Sequence, residues 1–154
     1  MQTISLHDDL EIRRIKTPEI QVKTNLYYLP TNENNLVYKA AKLLMDEFGI
    51  KEGVAIQLKK RIPVAAGMAG GSTDGAAVLW GMNQMYGLGL SRQELMERGV
   101  KLGADVPYCV QRGTALAEYS LFGQHGRFCS HERGLRRVLQ PDRKSTRLNS
   151  SHRT

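Results

Sequence analysis

The chain has 154 residues, 41% of them hydrophobic, with six Met and one Trp, which suits one ordinary domain with an aliphatic core. No run approaches the ~18 consecutive apolar residues of a membrane span, the N-terminus lacks the basic-then-apolar order of a secretory signal, and Cys109 and Cys129 make neither a disulfide framework nor a metal-type pair. The net charge of +7 raises a basic nucleic-acid-binding protein as an alternative, but residues 1–118 hold 14 Lys+Arg against 13 Asp+Glu while residues 119–154 hold 8 against 2. The nearly neutral body points away from a nucleic-acid partner, and the composition as a whole predicts a cytoplasmic protein with no membrane partner.

Short alternating runs predict strands over Gln2–Leu6, Leu10–Ile15 and Ile20–Thr24. Asn34 or Asn35 caps a helix that runs to about Phe48, with Leu36, Ala40, Leu43, Leu44 and Phe48 at helical spacing and Gly49 as its stop. Val54, Ile56 and Leu58 alternate in a strand over Gly53–Lys60. Pro63–Gly71 has no period and reads as a loop. Ser72 or Thr73 is expected to cap the next helix, with Asp74 in its first turn and an end near Gly87. Trp80 and Tyr86 on that helix read as packing residues. Ser91 and Glu94 form a capping box for a helix to Leu102, closed by Gly103. Val106–Val110 and Thr114–Glu118 read as strands, with Cys109 as a buried small hydrophobe. After Glu118 no period persists, and DRKSTRLNSSHRT is polar, basic and predicted to be disordered.

Two segments carry chemistry. In KRIPVAAGMAGGSTDGAA, residues 60–77, a strand feeds a small-residue loop and the loop feeds a helix start. The first helical amides lack intrahelical acceptors and the helix dipole adds partial positive charge there, so an anion fits. Gly67, Gly70 and Gly71 let backbone approach closely. Ser72 and Thr73 offer hydroxyls to phosphate or to Mg2+, a hard cation that prefers oxygen, and Lys59, Lys60 and Arg61 bring positive charge. The order is neither G-x-x-x-x-G-K-[ST] nor G-x-G-x-x-G, and a turn that merely caps a helix is the plain alternative. The second segment is GADVPY, residues 103–108, where Asp105 could accept a proton from a hydroxyl as a general base. A solvated turn residue is the plain alternative there.

The glycine-rich segment resembles the phosphate motif of the GHMP kinases. With NLVYKAAKLL at 35–44, the segment at 88–95 and GADVPYCVQRGTALAE at 103–118, the chain is similar over residues 1 to about 118 to the bacterial kinases of 4-diphosphocytidyl-2-C-methyl-D-erythritol. The resemblance implies an α+β fold, a two-layer N-terminal kinase domain with a mixed sheet and helices on one side. It implies transfer of the γ-phosphate of ATP, with Mg2+, to the 2-hydroxyl of that small molecule, on the non-mevalonate route to isoprenoid precursors. Pro63, Val64, Ala65, Ala66, Gly67, Met68, Ala69, Gly70, Gly71, Ser72 and Thr73 match the ATP-phosphate loop. Lys60, Asn35 and Leu36 match positions lining the nucleotide site, and Asp105 matches the catalytic aspartate. Homoserine- or mevalonate-type kinases of the same superfamily share the loop, whereas the ADVP segment favours the first reading.

The sequence departs from the family in two places. The family's N-terminal Pro-Ala-Lys-x-Asn segment, whose lysine pairs with the catalytic aspartate, is not found, which predicts an inactive fragment. From about residue 119 the charge balance, the period and the resemblance all change together. Residues 119–154 therefore read as a non-family tail of frameshifted or adaptor-derived origin, which sequencing of the source DNA across codons 115–125 would test.

Overall fold

The computed structural model describes residues 4–113 and two short strands, 117–118 and 127–128, in two units of which Leu6–Val110 is the larger. In that unit β1 (Asp9–Ile15), β2 (Ile20–Thr24) and β3 (Gly53–Lys59) form a mixed sheet in the order β1-β3-β2. β1 runs antiparallel to β3, with Ile12 opposite Ile56, and β2 runs parallel to it, with Val22 opposite Ile56. A parallel neighbour needs a crossover, and α1 (Leu36–Phe48) supplies it between β2 and β3. Alternation on β3 buries Val54, Ile56 and Leu58 and leaves Gln57 and Lys59 exposed, so one face of the sheet carries the core.

Two helices cover that face. α1 buries Val37, Ala40, Ala41 and Leu44, a row at i, i+3, i+4 and i+7. The row differs from the expected one at three positions: Leu36 and Leu43 are only half-buried and Phe48 is exposed. The Asn35 side chain accepts the Val37 amide at 2.9 Å, and Gly49 closes the helix in the left-handed region at φ 61°. α2 (Gly70–Tyr86) packs against α1 and β1 and buries Ala76, Val78, Leu79 and Met82. Burial of the larger of these, Val78, Leu79 and Met82, contributes about 1.5–3 kcal/mol each. Trp80 donates weakly to the Val110 carbonyl at 3.5 Å, and Tyr86 donates to the Gly53 carbonyl at 3.3 Å while its ring lies under Arg14.

α3 (Arg92–Leu102) opens on the expected capping box. The Ser91 hydroxyl accepts the Glu94 amide at 3.2 Å and the Glu94 carboxylate accepts the Ser91 amide at 2.8 Å. Val106–Val110, expected as a strand, belongs instead to a helix, α4 (Val106–Gln111). Pro107 explains the difference: at the second helical position its missing N–H has no intrahelical acceptor to lose, so proline favours the start of a helix. Of the expected first strand, Ile4–Leu6 is not strand, while Gln2 and Thr3 lie outside the described residues. In the smaller unit β4 (Ala117–Glu118) pairs antiparallel with β5 (Arg127–Phe128). The rest of the strand expected there, residues 114–116, and the expected disorder of the last residues also lie outside the described residues. No helix among the described residues is long and apolar enough to cross a membrane.

Candidate functional site

The chain leaves β3 at Lys59 and enters α2 at Gly70, and the loop between them walls a cavity of about 360 Å³. Its lining comprises Pro63, Val64, Ala65, Ala66, Gly67, Met68, Ala69, Gly70, Gly71 and Ser72 from the loop and helix start, Asn35 and Leu36 from the start of α1, Leu29, Lys60, Asp74 and Asp105. Every residue expected at the site lines this cavity except Thr73, whose hydroxyl donates to the Ala69 carbonyl at 3.0 Å and lies 3.5 Å from Cys109 Sγ. Burial pushes the Cys109 thiol up, so it is no nucleophile at neutral pH.

The loop backbone has an alternating pattern. Ala65, Gly67 and Ala69 all have positive φ, at 62°, 70° and 53°. A left-handed residue beside a right-handed one turns successive amides toward one concavity, which is how backbone nests hold anions, and three left-handed residues in seven give this loop the means to do so. For alanine the left-handed region costs roughly 1–2 kcal/mol per residue, so the loop holds strain at two positions. The sequence places the start of α2 at a Ser72 or Thr73 cap. The helix begins earlier, at Gly70, and its cap residue Ala69 offers no side-chain acceptor. The helix's first amides therefore face the cavity's rim without a side chain to satisfy them. Gly71 sits in ordinary space, where an added Cβ would meet only Leu36 Cδ1 at 3.7 Å, whereas at Gly70 it would crowd Ile62 Cγ2 at 3.0 Å and Lys60 Nζ at 3.2 Å.

Lys60 is not a free cation at the loop. Its side chain is 4% exposed, and its ammonium donates to Asp74 at 2.8 Å and to Asp8 at 2.5 Å. Burial pushes the Asp74 carboxyl up to about 6, against the opposing pull of Lys60 and with the added repulsion of Asp8. Asp8 is held below the usual carboxylate range: burial pushes it up, but Lys60 and the Arg61 and Ile62 amides together outweigh that. Arg61 turns outward to Asp9 at 2.6 Å. The sequence reading missed Asp8 and Asp74 as members of this knot. Asp74 is in the second turn of α2, beyond the helix end it was expected to complement. Its spacing held a signal, since 74, 78 and 82 form a row at i, i+4 and i+8 whose other members are the buried Val78 and Met82. Asp8, more than fifty residues before Lys60 in the chain, gave no such signal.

Asp105 lies between α3 and α4 and reaches the same cavity half-buried. The cavity thus brings together a helix start with uncapped amides, a loop with three left-handed residues, and the carboxylate of Asp105, which has no lysine partner among the described residues of the kind that holds Asp74. Such a set can bind a polyphosphate and present a base beside it.

The chain belongs to the GHMP kinases: residues 35–113, half of its length, match the GHMP kinases N terminal domain. Over 118 residues it is 59% identical to a 4-diphosphocytidyl-2-C-methyl-D-erythritol kinase of Lachnoclostridium phytofermentans and 54% identical to one of Clostridium perfringens. Those matches cover 77% of the chain and 40% and 41% of the relatives, so it spans about two fifths of the length of the curated relatives it matches. A crystal structure of 4-(cytidine 5'-diphospho)-2C-methyl-D-erythritol kinase superposes with a TM-score of 0.58 at 33% identity, over 79% of this chain and 41% of that one. A homoserine kinase from Cytophaga hutchinsonii shares the fold, with a TM-score of 0.61 at 20% identity over 71% of this chain and 38% of its own.

Proposed function

We propose that the chain supplies the nucleotide-phosphate side of an ATP-dependent kinase that phosphorylates the 2-hydroxyl of 4-diphosphocytidyl-2-C-methyl-D-erythritol. The observation that carries the ATP side is the pairing of the 63–69 loop, with its three left-handed residues, and the uncapped start of α2 on one cavity. The names of relatives at 54–59% identity support the substrate over homoserine or mevalonate. In this reading the loop amides take the β- and γ-phosphates and neutralise charge on the transferring group, where most of the barrier lowering lies. Asp105, across the cavity, orients the attacking hydroxyl and accepts its proton. The cavity's donors suit Mg2+, because the Ser72 hydroxyl and the phosphates themselves are hard oxygen ligands. The ion would neutralise phosphate charge. Residues 1–118 form the family part in this proposal.

The test is a transfer assay at high protein concentration, sensitive to a slow single turnover, with labelled ATP and each of the three alcohols. Label is expected on 4-diphosphocytidyl-2-C-methyl-D-erythritol alone, with a loss of about 10²–10⁴-fold in Asp105→Asn. Label on homoserine or mevalonate instead would contradict the substrate assignment.

A further inference from the structure

The loop between β3 and α2 is pinned at both ends by one buried ammonium, and this suggests a role for Lys60 other than touching phosphate. Asp8 uses one carboxylate oxygen on Lys60 Nζ and the other on the amides of Arg61 and Ile62, at 2.5 and 2.8 Å, the last residues before the loop. Asp74 receives the same ammonium at 2.8 Å from the second turn of α2, just past the loop's far end. Asn25 fixes the Lys60 backbone from β2's side. It accepts the Lys60 amide at 2.7 Å and donates to the Lys60 carbonyl at 3.2 Å. All three charged side chains are nearly inaccessible, at 4%, 2% and 6% for Lys60, Asp8 and Asp74. One positive charge set against two carboxylates leaves no surplus to attract phosphate. A Cβ added at Gly70 would lie 3.2 Å from Lys60 Nζ, so the ammonium leaves little room for a side chain at the first helical residue.

We propose that Asp8, Lys60 and Asp74 form a clamp that positions the phosphate loop, with Lys60 a positioning residue whose ammonium stays on the two carboxylates when nucleotide binds. The proposal rests on the nucleotide reading above only for its consequence on ATP, because its effect on the loop exists without nucleotide. A phosphate-ligand lysine and a clamp lysine give opposite signs when a carboxylate is removed. Freeing Lys60 from Asp8 would strengthen phosphate binding if the ammonium were a ligand and would weaken it if the ammonium were a strut.

Two measurements on the full chain separate these outcomes, with Asp8→Asn as the mild, nearly isosteric variant and Lys60→Met as the severe one. Amide hydrogen exchange of residues 64–70 without nucleotide is expected to quicken about tenfold or more in Asp8→Asn while exchange in α1 stays unchanged. Unchanged loop exchange overturns the clamp whether or not the chain binds ATP. Calorimetric titration is expected to show ATP and pyrophosphate weakened about tenfold in Asp8→Asn, with adenosine within about twofold of wild type. It is also expected to show Asp8→Asn/Lys60→Met no worse than Lys60→Met alone, as for residues acting as one unit. Tighter ATP binding by Asp8→Asn overturns the clamp. Loop exchange that quickens in a chain that binds neither ATP nor pyrophosphate upholds the clamp and sinks the nucleotide reading. Should the variants fail to fold, the Lys60 ammonium and Asp74 carboxyl resonances of the wild type are followed as ATP is added. Retention of their mutual contact supports the clamp, and its loss on binding overturns it.

Discussion

Among the described residues, two of the three long helices begin with a side chain closing their amides, and one does not. α1 opens on Asn35 and α3 on the Ser91–Glu94 box, both of which satisfy amides locally. α2 opens on Ala69, in a left-handed conformation that alanine disfavours, with no side chain to cap it. A helix start that serves only stability gains about 1 kcal/mol from a polar cap. Forgoing that cap and accepting a strained residue makes sense where the amides are kept for an anion. The contrast supports the proposal that the start of α2 is the functional end.

The largest effect that would sharpen the contrast is at Gly71. Gly71→Asp sets a carboxylate where the phosphates would lie, at a position that admits a side chain without crowding, and is expected to lower ATP affinity by about a hundredfold or more, since one charge-assisted contact alone is worth about 1.5–3 kcal/mol. The melting temperature should hardly move.

Next in size is the response to pH. Asp74 rises from the ordinary value of 3.8 to about 6, so the folded state holds its proton more tightly than the unfolded chain does. Its contribution is fully present below about pH 4 and is lost as pH rises through about 6, by at most about 3 kcal/mol. Asp8, held low, works in the opposite direction: its contribution is present above the ordinary carboxylate value and is lost as pH falls through its lowered one. Chemical denaturation of Asp74→Asn between pH 4 and 7 is expected to remove the Asp74 part of the slope. An unchanged slope would assign the titration to another group.

Smaller still, Ser91→Ala is expected to cost about 1 kcal/mol in stability, read by urea unfolding, and to leave ATP affinity alone. The reverse pattern at Ser91 would erase the distinction between capped and open helix starts. The smallest expected effect is at Ala69. Ala69→Gly relieves left-handed strain and adds unfolded-state entropy, two terms of about 1 kcal/mol and opposite sign, so stability should stay within about 0.5 kcal/mol. The same change at buried, helical Ala41 should destabilise clearly.

Local chemistry was legible in the sequence where it was complete within a few residues. Asn35, Gly49, the capping box and the alternation of β3 each state their structure within one turn or one strand. α4 was misread because a five-residue apolar run fits strand and helix alike, and Pro107 was the decisive clue. The start of α2 was misplaced because Ser72 and Thr73 look like caps, whereas Thr73 instead returns its hydroxyl to Ala69 inside the helix. The members of the cavity were legible through the resemblance, but the Lys60 knot was not, since Asp8 and Asp74 meet only after the sheet and α2 have packed.

If the loop and the open helix start form a site for the phosphates of ATP, the chain binds the nucleotide through them. Titration of ATP with Mg2+ into the chain by calorimetry, beside Gly71→Asp, tests it most directly. Saturable binding is expected for the wild type and should vanish in the variant while both unfold at the same temperature. Equal binding by the two chains would contradict it.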